Sequence, residues 1–318
     1  MAVNTDTGPK VVIIGAGAVG STFAYTLTNS GLAEEIILVD KDVEKAEGEV
    51  MDLNHGLFFA PPVRIAAGDY ADCRDADLIV ITAGAAQKPG ESRLDLTGRN
   101  IRICRSIMDD ILEQTRDAVI CMVTNPVDIL TYDSIQHSGL PPRQVFGSGT
   151  VLDSARFRFL LSQHCGVDPR NVHAYILGEH GDSEMAPWSM AHMAGVQIDR
   201  FCEQCGRCDY EEHRPQIVEQ VRESAYHVIE AKGATQYGIS QALLRICGAV
   251  LRDEHSVLTV SSLIEDYVGI SDICLSIPCI VSRNGIERQL KADLAENEVE
   301  ELRASARALK DVLESVPA

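Results

Sequence analysis

The sequence predicts an α/β protein, a doubly wound parallel sheet over residues 1–149 followed by an α+β domain over residues 150–318. Three observations predict it. Short apolar runs alternate with helical stretches through the first half. Those runs are apolar throughout rather than at every second position, as strands covered on both faces are. Near residue 150 the alternation stops, and longer polar helices and a hairpin take over.

The elements follow in order. A strand at 11–14 leads into Gly15-Ala16-Gly17-Ala18-Val19-Gly20, and a helix runs from there to about Asn29, where Asn29-Ser30-Gly31 is a stop signal. The next strand, 36–39, ends at Asp40. Strands are expected again at 63–66, 78–82, 118–123 and 144–147, with helices between most of them, and such repeated units make a parallel sheet. Beyond 150 come a helix over 154–162, a strand over 172–176 and then long polar helices. Residues 280–287 read as a hairpin turning at Asn284-Gly285. Val299, Leu302, Ala306, Leu309, Val312 and Val316 recur every three or four residues, the spacing of an amphipathic helix. No flexible linker separates the two domains.

A net charge of -19 and a pI near 4.8 argue against nucleic acid or an anionic membrane as partner. They also make every arginine in a cleft informative. No apolar run approaches the roughly 18 residues of a spanning helix, and the first ten residues lack a signal-peptide pattern. Ten cysteines scattered through the chain suit a reducing cytoplasm better than a disulfide framework.

Gly15-x-Gly17-x-x-Gly20 alone is a weak signal, since a ligand-free turn reads the same way. Its flanks strengthen it: a strand before, a helix after, and an acid, Asp40, twenty residues beyond the last glycine. The glycines let the backbone approach a pyrophosphate resting on the helix N-terminus. Asp40 can accept hydrogen bonds from ribose hydroxyls and would repel a 2′-phosphate, which favours NAD over NADP.

Four polar elements suggest a reaction site. The strand at 78–82 spills into a loop with an amide, Gln87, and a guanidinium, Arg93, at a strand end where open sheets bind ligands. His180 follows a strand between two glycines. Asp153 and Arg156, three apart at a helix start, can face one side. Asn125 ends another central strand. Singly these are a structural histidine, an N-cap and surface polar groups; together they converge on one chemistry, with the loop as a lid over a small anion.

The segments GAGAVG, AGAAQKPGESR, VTNPVD, LDSARFR and GEHGDSE, in that order between about Lys10 and Leu313, resemble the lactate/malate dehydrogenase family and within it the bacterial L-lactate dehydrogenases. The resemblance implies a Rossmann-type NAD-binding domain and reversible reduction of pyruvate to (S)-lactate by NADH. It implies that His180 protonates the pyruvate carbonyl oxygen, that Asp153 orients the imidazole, and that Arg156 holds the substrate carboxylate. Arg93, brought in by loop closure, would polarise the carbonyl. Asn125 would bond near the same oxygen, and Thr235 would line the pocket. Cofactor contacts would fall on Gly15, Gly17, Val19, Gly20, Asp40, Lys45, Tyr70, Gly84, Ala85, Ser106, Val123, Asn125 and Ser148.

Substrate choice rests on Gln87. Malate enzymes of the family place an arginine there to pair the second carboxylate of oxaloacetate. An amide cannot neutralise that charge, and an unpaired buried carboxylate is expensive, so pyruvate and lactate are expected. Lys88 is the nearby group that could supply the charge and make this a malate dehydrogenase.

Arg158 lies two residues past Arg156 and should point to nearly the opposite side of its helix. Both Arg158 and His173 have plain readings, as a surface arginine and a strand-end histidine. The resemblance implies more, because both match residues that bind fructose 1,6-bisphosphate across a symmetry axis of allosteric bacterial homotetramers. Cys202, Cys205 and Cys208, with His213, match nothing in the family. Three thiols and an imidazole can make a zinc site, but the spacing is not a paired CxxC and the region reads as polar and exposed, so no metal is expected. A redox-sensing NAD-binding module built on these thiols would carry a degraded catalytic set, whereas His180, Asp153, Arg156 and Arg93 are all present.

Overall fold

The computed structural model describes residues 8–86, 90, 92–205 and 210–316. Its elements run β1 (Lys10–Ile14), α1 (Ala18–Ser30), β2 (Glu35–Val39), α2 (Val43–His55), β3 (Arg64–Ala67), β4 (Leu78–Ile81), α3 (Arg93–Leu112), β5 (Val119–Met122), α4 (Val127–Ser138), β6 (Val145–Gly147) and α5 (Val151–Cys165). They continue as β7 (Val172–His173), β8 (His192–Met193), β9 (Val196–Gln197), α6 (Ile198–Cys205), α7 (Tyr210–Lys232), α8 (Tyr237–Leu251), β10 (Ser256–Ile264), β11 (Ile273–Ser282), β12 (Gly285–Gln289) and α9 (Glu296–Ser315).

The Val, Ile and Leu runs form strands because helices cover both faces, so no position needs to be polar. β4 and β5 are buried at every residue. β1 to β6 pair in parallel, as expected. The sheet does not stop there. Its order is β12-β11-β10-β6-β5-β4-β1-β2-β3, with β10, β11 and β12 antiparallel, so the sheet runs across residue 150. One apolar core accordingly reaches from Val11 to Leu309. A smaller one gathers Phe157, Leu161, Cys165, Ile176, Ile198, Cys202 and Val221 from α5 to α7.

The hairpin forms as expected between β11 and β12. Gly285 is required there, since its φ is +85° and a Cβ would run into the Arg143 carbonyl oxygen. The strand expected over 172–176 pairs as a strand only at Val172 and His173. Beyond them, hydroxyls of α5 replace a partner strand: Ser154 Oγ accepts from Ile176 N at 2.9 Å, and Thr150 Oγ1 donates to Ile176 O at 2.5 Å. That substitution ties the start of α5 to the segment leading to His180. Among the described residues no helix is long and apolar enough to cross a membrane.

Candidate active site

The Gly-rich turn forms where β1 meets α1. Gly15 has φ +113°, and a Cβ there would lie 2.7 Å from both Ala83 N and Thr82 Oγ1. At Gly20 a Cβ would collide with the Gly15 carbonyl oxygen. A Cβ on Gly17 would meet nothing within 4 Å, so this side of the turn faces open space. Gly17 caps α1 without a side-chain bond, leaving first-turn N–H groups for an anion such as a pyrophosphate. Asp40 braces the turn: its Oδ2 accepts from Ala16 N at 2.7 Å and its Oδ1 from Asp42 N at 2.9 Å. Each oxygen keeps a lone pair for a ribose hydroxyl. The residues present fit a dinucleotide.

Other expected contacts distribute around this turn. Val19 lies partly buried on α1 and Lys45 exposed on α2. Tyr70 is pushed to about 12 by burial and by Asp110, Cys73 and Asp40. The strand ends are stitched together by Asn100, which sequence reasoning missed: its Oδ1 accepts from Ala85 N at 2.8 Å and its Nδ2 donates to Asn125 O at 2.9 Å. Gly84 packs so closely that a Cβ would strike Thr124 Cγ2. Val123 N donates to Ile81 O and Ser148 N to Met122 O, holding both at strand ends. The Asn125 side chain is exposed, while Ser106 is exposed well along α3.

The candidate reaction centre is built on α5. Thr150 is its N-cap, so Asp153 is not a cap but lies inside the first turn, buried, with both oxygens engaged. Oδ2 lies 2.6 Å from His180 Nδ1, and Oδ1 accepts from Arg156 Nη1 at 2.5 Å. The two cations and hydrogen bonds hold Asp153 below its ordinary value despite burial. For His180, burial alone would lower the pKa, but Asp153 wins, with help from Asp128 and Glu184, and lifts it to about 9. An ionised Asp153 can only accept, so Nδ1 carries a proton and Nε2 is left to exchange one.

Arg93, the first residue of α3, does not reach His180 in this structure. Its Nη1 donates to Asp182 Oδ2 at 2.8 Å and its Nη2 to Tyr226 OH at 3.3 Å, with the side chain 71% exposed. Tyr226 in turn donates to Asp182 Oδ1 at 2.9 Å. Arg93 is thus held two residues from the histidine, at the rim of the site. Thr235 sits half-buried between α7 and α8. Gln87 and Lys88 lie outside the described residues.

Two acids that sequence reasoning did not assign complete the centre. Asp128 is buried; its Oδ2 accepts from His180 N at 2.7 Å and its Oδ1 from Ser261 Oγ at 2.5 Å. It fixes the backbone that carries the imidazole. Burial pushes it up to about 6 against those bonds. Glu184 is 2% exposed, and one ligand atom each from Glu184, Asp153 and His180 lie within 4.8 Å of one another. Burial pushes Glu184 to about 8; Asp153 raises it further while His180, Arg156 and Arg222 oppose. The only legible signal was its place four residues after His180, leading the apolar run Met185-Ala186-Pro187.

Arg158 turns away from the centre, as expected. Its Nε donates to Ala174 O at 2.8 Å and its guanidinium lies 4.8 Å from the Tyr175 ring centroid. His173 stacks on His192 at 5.0 Å, and burial, His192 and Arg158 hold its pKa below the ordinary value. The expectation of an exposed cysteine cluster is corrected at Cys202, which is buried with its Sγ 3.9 Å from Cys165 Sγ. The cause is α6, whose Ile198 and Cys202 lie one turn apart on its core face. His213 packs instead against His164, ring centroids 5.2 Å apart. Cys208 and the Cys205 side chain lie outside the described residues.

Residues 9–147 match the family model described as lactate/malate dehydrogenase, NAD binding domain, and residues 150–318 the one described as lactate/malate dehydrogenase, alpha/beta C-terminal domain. An L-lactate dehydrogenase of Acetivibrio thermocellus is 52% identical over 307 residues, 96% of this chain and 97% of that protein. One of Treponema denticola is 52% identical over 304 residues, 95% of this chain and 96% of that protein. Among solved structures, a lactate dehydrogenase from a Medee basin deep-sea metagenome library has a TM-score of 0.95 at 42% identity, covering 98% of this chain and 99% of its own. The minor L-lactate dehydrogenase of Enterococcus mundtii gives 0.95 at 41%, with the same coverage.

Proposed function

The chain belongs to the lactate/malate dehydrogenase family, and we propose that within it the protein is an NAD-dependent L-lactate dehydrogenase that interconverts pyruvate and (S)-lactate. The observation that carries the reading is Asp153 bridging His180 and Arg156, which joins a proton donor to an anion clamp. NADH, when bound along the Gly15–Gly20 turn and Asp40, supplies the hydride. His180 donates from Nε2 to the carbonyl oxygen of pyruvate and takes the proton back in the reverse direction. Asp153 keeps the imidazole charged and oriented until that donation. Arg156 turns its remaining guanidinium donors on the substrate carboxylate, a pairing that favours α-keto acids.

Arg93 leaves Asp182 and Tyr226 when the lid closes and stabilises charge developing on the carbonyl oxygen. Asn125 supports the same oxygen, Thr235 lines the pocket, and Gln87 leaves no partner for a second carboxylate. Residues 1–149 serve the cofactor and 150–318 the substrate. Arg158 and His173 form a fructose 1,6-bisphosphate site shared between subunits of a homotetramer in the cytoplasm. Arg158, bonded to a carbonyl rather than a carboxylate among the described residues, and the neighbouring His173, on a chain of charge -19, support the effector site. Phe58 and Phe59, 90% and 86% exposed, support a subunit contact.

The test is NADH oxidation with pyruvate and with oxaloacetate, each with and without fructose 1,6-bisphosphate. Preference for pyruvate, enhanced by the bisphosphate, is expected. Preference for oxaloacetate would overturn the Gln87 reading in favour of malate dehydrogenase, and an unchanged pyruvate rate would remove the effector site.

A further inference from the structure

We propose that Glu184 is a positioning residue for the substrate anion: protonated, it leaves the site one net positive charge, and ionised, it closes the site to carboxylates. This rests on the reading of the substrate as a monocarboxylate held by Arg156. The charged groups facing Glu184 are Asp153 and Arg156 from α5, His180 from the loop after Ile176, and Arg222 from α7. Among the described residues none of these cations is bonded to its carboxyl. Arg156 is committed to Asp153, and Arg222 Nη2 donates to the backbone carbonyl of Glu184 itself at 2.6 Å. Among the described residues, Glu184 Oε1 is buried without a hydrogen-bond partner.

A buried carboxylate without a partner is strongly disfavoured, whereas its neutral form is tolerated. With Asp153 and Asp128 ionised and His180, Arg156 and Arg222 charged, a neutral Glu184 leaves one positive charge to match one incoming carboxylate. Ionised, it cancels that charge and sets a second anion beside the catalytic pair, where low dielectric magnifies repulsion. The same three side chains have the donor set of a metal site. Arg156 on Asp153 opposes that use, because it occupies a carboxylate oxygen and adds a cation at the same place.

The switch lies in an accessible range, since burial raises Glu184 to about 8 while His180 holds its proton to about 9. For wild type, kcat/KM for pyruvate should begin to fall near pH 8, through a rising KM rather than a falling kcat. Glu184→Gln should hold until His180 deprotonates, which loss of the Glu184 charge brings somewhat earlier than in wild type, and at pH 9 should still retain several-fold more of its neutral-pH kcat/KM than wild type does. Glu184→Asp, which keeps a carboxyl, should retain the early fall. Superimposable profiles for wild type and E184Q would overturn the proposal. Infrared difference spectra of the cofactor-free proteins, wild type minus E184Q, supply a second reading. A protonated-carboxyl stretch is expected at neutral pH and should fade as the pH passes about 8; its absence at neutral pH would also overturn the proposal. If wild type reduced oxaloacetate instead of pyruvate, the substrate reading would fail, while the infrared band would still decide the state of Glu184.

Discussion

His180 and His173 stand seven residues apart, each beside an arginine of α5, yet they hold protons in opposite ways. His180 faces Asp153, Asp128 and Glu184, and these lift it to about 9 against the effect of burial. His173 faces His192 and Arg158, and with burial these depress it. The arginines divide in the same manner: Arg156 lies on a carboxylate, while Arg158 lies on a neutral carbonyl and a tyrosine ring. One side of the helix is arranged to retain a proton. The other sets Arg158 beside a histidine that gives up its proton readily, with no carboxylate on either among the described residues. The sign of the neighbours, not the residue type, decides what a histidine can do.

The comparison breaks most visibly at Asp153. Asp153→Asn removes the charge that holds the His180 proton, so kcat/KM for pyruvate should fall by about 10³-fold, with the alkaline limb moving below pH 9. A limb that stayed at its wild-type position would mean another group sets the histidine. By linkage, the raised His180 pKa contributes stability that is full below the unfolded value of about 6.5 and is lost as pH rises through about 9. Next in size is Arg156→Lys, which keeps a charge but loses the planar fork. KM for pyruvate should rise by about 10²-fold, with kcat affected less; a loss in kcat with KM unchanged would assign Arg156 to the transition state alone.

On the opposite side, Arg158→Ala with His173→Ala should abolish activation by fructose 1,6-bisphosphate while maximal turnover stays near wild type. Activation that survived both changes would locate the effector elsewhere. The smallest effect is expected from His192→Asn, which removes the stacked ring. The His173 titration, followed by NMR, should rise; a titration that did not move would leave burial and Arg158 as the causes of its depression.

Features set by local sequence were legible. The three glycines, the helix that follows them, and the Asp153–Arg156 spacing each need only a few neighbouring residues to take shape, and the structure realises them in place. Features set by distant partners were not. Nothing near Ser256 announces that β10 pairs with β6 more than a hundred residues away. The expected strand at 172–176 stops early because hydroxyls from α5 satisfy Ile176, a choice made by packing rather than propensity. Asp128 and Glu184 were visible as acids, but their burial belongs to the assembled fold. Cys202 carried a hint in its spacing from Ile198, which the polar composition of the segment obscured.

The strand order has a bearing on ancestry. Because β10 leans on β6 and one core spans both halves, the two halves of the chain share a single sheet and a single core. A hybrid gene joining the first half of one relative to the second half of another would have to match along that seam, down to the Ser261–Gly147 pairing, before either half could keep its task. Diversification of such a molecule should therefore proceed by changes in loops and single side chains rather than by exchange of halves.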